Sequence, residues 1–177
     1  MAGDVRRLQN SHDLPDNWKK GLADRITGGL AGLAILLRQA DQENGNASVQ
    51  SANATRQIVK NMLMEFSANN HADIIIVLET LVNRYTLRKL PVIKDRKTAH
   101  GLHNEYCAAC HDDPDLTVER PAFNLFKQAK QLSRKEFTAR LIVGVRGDRS
   151  TGLGNPLTSH ELSALVEYYR EQVFSNQ

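Results

Sequence analysis

Cysteine is scarce in this chain. Cys107 and Cys110 are the only two among 177 residues. A four-cysteine metal site is therefore excluded, and no further cysteine competes for disulfide pairing. Long apolar runs are missing too. The longest nearly uncharged one, "ITGGLAGLAILL" at residues 26–37, is far short of the about 20 residues a bilayer-spanning helix needs. It lies between Arg25 and Arg38, away from the start, and the opening "MAGDVRRLQNSHD" is polar. Neither reads as a signal peptide. No internal repeat and no low-complexity tract occurs. A strong charge imbalance is lacking as well: the formal net charge is +3 and the pI about 8.9. That favours acidic partners but is too weak to argue for nucleic acid.

What is present suits a folded core, with 41% hydrophobic and 24% charged residues. Helical periodicity dominates. Leu22, Ile26, Leu30, Leu33 and Leu37 fall on one helix face, and Gly28, Gly29 and Gly32 mark close packing or a kink. A second stripe runs through Ala52, Thr55, Val59, Met62, Leu63 and Phe66. "SANN" closes it, and Asn70 with Asp73 forms a weak capping box. A third stripe, Ile74, Leu78, Leu81, Val82 and Tyr85, continues to Leu87 and ends at Pro91. Helices are also expected ahead of residues 107–111, around "SRKEFTARLIVG", and from "TSHELSALVEYY", where Thr158 and Glu161 make a capping box. No strand is needed. The expectation is an all-α protein: an N-terminal three-helix domain, residues 1–91, and a second helical domain, residues 92–177.

The chemistry lies in "CAACH", residues 107–111. C-x-x-C-H is the spacing of covalent c-type haem attachment. Two thiols reach two vinyl groups on one porphyrin edge, while the adjacent imidazole points at the iron. Structural zinc would want four ligands, and only one C-x-x-C is present. "HGLH" (His100, His103) is crowded against it. A thioredoxin-type dithiol belongs in a βαβ pattern that is missing here. One haem c is therefore expected on Cys107 and Cys110, with His111 as proximal iron ligand. Covalent haem implies a periplasmic or otherwise extracytoplasmic setting, with a leader already removed.

From about residue 96 to 174 the chain resembles class I cytochrome c. "KTAHGLHNEYCAACH" resembles the family's first helix and motif, and "ERPAFNLF" its proximal segment. "EFTARLIVGVRG" resembles the central helix, and "LTSHELSALVEYYREQ" the last helix, which crosses the first in that fold. The resemblance implies that Pro121 lies near the face of His111, where a backbone carbonyl orients the imidazole. The class II four-helix bundle is set aside, because its motif sits near the C-terminus. Here 66 residues follow His111, counting 177 − 111. Two departures stand out. His103 occupies the place, four residues before the first cysteine, where the family usually carries an aromatic. The family's distal methionine, directly before a proline, is replaced by Asn155 before Pro156, and no methionine follows Met64.

Four arrangements on the distal side are consistent with the sequence. Asn155 faces or weakly ligates the iron; His160 replaces methionine; the N-terminal helices supply His71, Met62 or Met64; or the iron is open or water-bound beneath Leu153 and Asn155. A strong sixth ligand favours outer-sphere electron transfer, whereas a weak one opens the iron to small ligands, with Asn155, Arg146 and Arg149 as distal donors. Between Lys127 and Arg149 stand Lys127, Lys130, Arg134, Lys135, Arg140, Arg146 and Arg149, opposed by Glu136 and Asp148. Such a stretch steers an acidic redox partner. "CHDDPD" supplies an acidic loop beside the motif. No acid/base pair marks an enzyme. The expected function is electron carriage between extracytoplasmic redox partners, with small-ligand binding or sensing as the alternative. The N-terminal helices carry no recognisable chemistry and are assigned docking or homodimerisation.

Overall fold

The computed structural model describes residues 1–86, 89–143 and 157–171. Every regular element among the described residues is an α-helix, so the protein is all-α. The chain divides into two compact units, Met1–Thr86 and Leu87–Gln177. Among the described residues, no helix is long and apolar enough to cross a membrane.

The first unit holds α1 (Ala2–Gln9), α2 (Asp16–Glu43), α3 (Val49–Ser67) and α4 (His71–Arg84). Its core gathers Val5, Ile26, Leu30, Val59, Met62, Ile74 and Leu78. Each of the three long helices contributes residues from its apolar stripe, and full burial of one such side chain is worth about 1.5–3 kcal/mol. The expected three-helix segment is thus a four-helix one. The additional α1 is short and polar; it buries Val5 and packs the half-buried Leu8 against the same core, and two apolar positions are too few for a periodic signal. Charge holds it as well: Arg25 donates to the buried Asp4, and Arg6 pairs with Glu79.

Caps and turns set the lengths of these helices. Gly45 takes φ +70° after α2, a conformation that suits glycine. Ser48 and Ser51 then cap α3 reciprocally, each backbone N–H donating to the other's hydroxyl, at 3.1 and 2.9 Å. Asn69 stops α3 at φ +61°. Asn70 makes no side-chain cap for α4, contrary to the expected box; its amide donates to Glu65 instead, at 2.6 Å. The α2 glycines do not break their helix. A Cβ at Gly28 or Gly32 would meet nothing within 4 Å, and one at Gly29 only the end of the Met1 side chain.

α4 stops at Arg84, ahead of Pro91, and a polar contact accounts for it. The Tyr85 hydroxyl donates to Asp41 of α2 at 2.8 Å, and the Arg84 guanidinium reaches the same carboxylate oxygen at 3.4 Å. Asp41 is only 1% exposed. Drawing Tyr85 down onto it turns the backbone out of the helix.

The second unit holds α5 (Arg96–Tyr106), α6 (Ala108–His111), α7 (Leu125–Gln131), α8 (Arg134–Val143) and α9 (Ser159–Glu171). α9 packs on α5, α7 and α8. Ala99 and Leu102 of α5, Leu125 and Ala129 of α7, and Phe137 of α8 meet Ala164, Leu165, Tyr168 and Tyr169 of α9. Side chains start the helices. Asp95 accepts from the Thr98 amide at 3.0 Å, and Asn124 accepts from the Lys127 amide at 3.1 Å. Thr158 and Glu161 form their reciprocal box at 2.7 and 3.3 Å. Arg170 donates to the Ala129 carbonyl at 3.0 Å, serving a carbonyl near the end of α7.

Removing the Tyr85 hydroxyl (Tyr85→Phe) leaves the buried Asp41 carboxylate short of its closest donor. The expected loss is about 1–3 kcal/mol of stability, read as a lower urea midpoint for the first unit's transition.

Candidate functional site

One carbonyl builds the turn that carries the two cysteines and His111. The Cys107 amide donates to the His103 carbonyl at 2.9 Å and ends α5. The Cys107 carbonyl then accepts from the amides of Cys110, at 3.2 Å, and His111, at 3.0 Å. The chain therefore curls into the single turn of α6, with Cys107 at its entry and His111 at its exit. Both cysteines are free thiols. Cys107 is half-buried against the core of the second unit, and burial pushes its thiol above the ordinary cysteine range. Cys110 is exposed.

His111 is 8% exposed, and its Nδ1 lies 2.7 Å from the Phe123 carbonyl oxygen. A carbonyl can only accept, so Nδ1 carries the hydrogen and donates it. Nε2 is left with the lone pair that a metal would take. Burial holds the imidazole pKa below its ordinary value, outweighing the opposing effect of the Phe123 hydrogen bond, and favours this neutral form. The acceptor is itself fixed. The Phe123 amide donates to the Pro121 carbonyl at 3.0 Å, forming a tight turn that begins at the buried Pro121. The Gln128 side-chain amide donates to the same Phe123 oxygen at 3.2 Å.

A second buried imidazole stands on the other side of the turn. His103 is 4% exposed, with ring centroids of Phe126, Tyr169 and Tyr168 at 5.4, 5.6 and 6.1 Å. Its Nδ1 lies 2.9 Å from the Tyr169 hydroxyl oxygen and its Nε2 3.3 Å from a carboxylate oxygen of Asp112. Burial pushes the Tyr169 hydroxyl well above the tyrosine range. The position that resembles an aromatic site in the sequence is thus filled by an aromatic ring that also hydrogen-bonds at both nitrogens.

The distal candidates divide. Asn155, with Leu153, Pro156, Arg146 and Arg149, lies outside the described residues. His160 is exposed, with Nε2 3.8 Å from the Asp95 carboxylate. Met62 is buried in the core of the first unit, Met64 is exposed, and His71 packs its ring on Phe66 at 5.7 Å. The resemblance led to a backbone carbonyl near Pro121 as the acceptor for His111; the structure places it two residues on, at Phe123, which no side-chain signature marks. Sequence reasoning missed the roles of His103, Asp112 and Tyr169. The available signal was a pair of polar rings on otherwise apolar helix faces, one of them four residues before Cys107.

Two free thiols and a neutral imidazole with its Nε2 lone pair, all on one turn, match the donor set of a c-type haem. Among the described residues, no group of three or more histidine, cysteine, aspartate or glutamate side chains is arranged to hold a metal ion. No protein-family model, curated protein or solved structure matches the chain.

Two outcomes are expected for the protein as the chain alone. Iodoacetamide labels Cys110 faster than Cys107, by about tenfold, because Cys107 is half-buried and its thiolate is disfavoured; peptide mapping of partly labelled protein reads the ratio. The unfolded chain protonates His111 near the usual imidazole value of about 6.5, whereas the folded chain resists until a lower pH. This contribution to stability is therefore complete above about pH 6.5 and is lost as pH falls towards the lower folded value. Urea midpoints at pH 7.5 and 5.5 measure it, and His111→Gln reduces the difference.

Proposed function

We propose that residues 96 to 174 form a class I c-type cytochrome domain. In this reading Cys107 and Cys110 hold one haem c through thioethers, and His111 supplies the proximal iron ligand through Nε2. The protein carries electrons between redox partners outside the cytoplasm. The observation that carries the reading is the hydrogen bond from His111 Nδ1 to the Phe123 carbonyl, at 2.7 Å, on the turn that also bears both thiols. The packing of α9 on α5 supports it from the side of the fold.

Bound haem c supplies a one-electron couple, and the chain supplies its setting. His111 is held in one tautomer and one orientation, and donation from Nδ1 makes Nε2 more basic towards a metal. The burial of Pro121 and His111 keeps water from that side of the imidazole. The helices after the motif bear the basic surface expected to steer an acidic partner, but part of the charge is satisfied internally. Arg134 pairs with Glu167, and Arg140 pairs with Glu136 at 2.9 Å. Lys127, Lys130 and Lys135 are the exposed basic groups on α7 and α8.

One sequence observation favours a second reading. No methionine follows Met64, and Asn155 stands before Pro156. A weak or absent sixth ligand would make this a gas-binding or sensing haem protein.

Expressed with a haem-attachment system, the protein should keep its colour through acid-acetone extraction. Cys107→Ser with Cys110→Ser should lose it. Extractable haem in the parent protein would sink the cytochrome reading. Sharp α and β bands in the ferrous spectrum, unchanged by carbon monoxide, support the electron carrier; broad bands that carbon monoxide shifts support the second reading.

A further inference from the structure

On the reading that His111 holds an iron, the geometry points to His103 as a positioning residue for the attachment turn. It acts through Asp112 at one end and Tyr169 at the other.

An ionised carboxylate only accepts, so His103 Nε2 carries the hydrogen that it donates to Asp112, at 3.3 Å. With the ring neutral, Nδ1 then has a lone pair and accepts from the Tyr169 hydroxyl, at 2.9 Å. One buried side chain thereby ties together two parts of the structure. Asp112 follows His111 directly, and Tyr169 lies on α9, 66 residues beyond His103. The ring is fixed by its packing among Phe126, Tyr168 and Tyr169.

A phenyl ring at position 103 would reproduce this packing but neither hydrogen bond. The bond to Asp112 acts at the exit of the turn, and the bond from Tyr169 holds the ring that makes it. By holding Asp112, His103 fixes the backbone that aims the His111 ring, and so keeps Nδ1 at 2.7 Å from the Phe123 carbonyl. If that backbone relaxes, the Nδ1 bond lengthens and Nε2 becomes a weaker donor. The oxidised iron, which gains most from a basic ligand, is then less favoured, and the reduction potential rises.

The test uses the full chain carrying its haem. His103→Phe removes both hydrogen bonds, and Tyr169→Phe removes one oxygen from the same network. Each should raise the midpoint potential, by about threefold to tenfold in the reduction equilibrium, up to ~59 mV for a one-electron couple. The double variant should rise no further than His103→Phe alone, because both changes cut one path. Thermal melting is measured alongside. A lowered melting temperature with the parent potential in both variants would mean that His103 is a packing residue, and the inference fails. If His103→Phe does not fold, Tyr169→Phe decides alone by the same criterion. Failure of the haem reading is distinguishable, since the parent protein would then carry no acid-resistant haem.

Discussion

A buried imidazole N–H must find an acceptor, and in this protein the Phe123 carbonyl is the acceptor. Much of the second unit can be understood from this requirement. Pro121 starts the tight turn that presents the carbonyl, and Gln128 of α7 holds its other side. Asn124, the next residue, caps α7, so the orienting atom and the start of a core helix are set by one short segment. α7 then delivers Leu125 and Ala129 to the core shared with α9. The donor atom left on His111 is thus fixed by backbone geometry rather than by any neighbouring charged group.

The two units use buried polar groups for different ends. In the first, Asp41 and Asp4 draw helix ends together: Tyr85 and Arg84 close on one, Arg25 on the other. Nothing reactive converges there, and these contacts set where helices stop and dock. In the second, His103 and His111 flank the turn that carries the thiols, and their partners are a carbonyl, a hydroxyl and a carboxylate. Burial of polarity is structural in one half and adjacent to chemistry in the other.

The helices were legible where an apolar stripe repeats over several turns. Ile26, Leu30 and Leu37, then Val59 and Met62, then Ile74 and Leu78 are buried on α2, α3 and α4. α1 escaped because Val5 and Leu8, over barely two turns, give no period. The end of α4 escaped because the reason lies on another helix, at Asp41. "CAACH" was legible as a spacing, since three residue types on one turn carry the signal themselves. A carbonyl orienting His111 came only with the family resemblance, and its residue was not legible, because any residue at position 123 supplies the same atom. His103 was visible only as a departure, since its two hydrogen bonds reach nine residues along the chain in one case and 66 in the other. In the basic stretch, charge counting does not see Glu167 folding back onto Arg134.

The span from His103 to Tyr169 bears on the order of events during synthesis. Domains form as the chain emerges, and contacts between distant residues wait for the later segment. Cys107, Cys110 and His111 leave the ribosome well before α9 exists. Until α9 docks, the His103 ring lacks its Tyr169 partner, and Cys107 lacks the surface that half-buries it. The thiols are therefore at their most accessible in the nascent chain, and completing the last helix closes the interval in which both are open to chemistry.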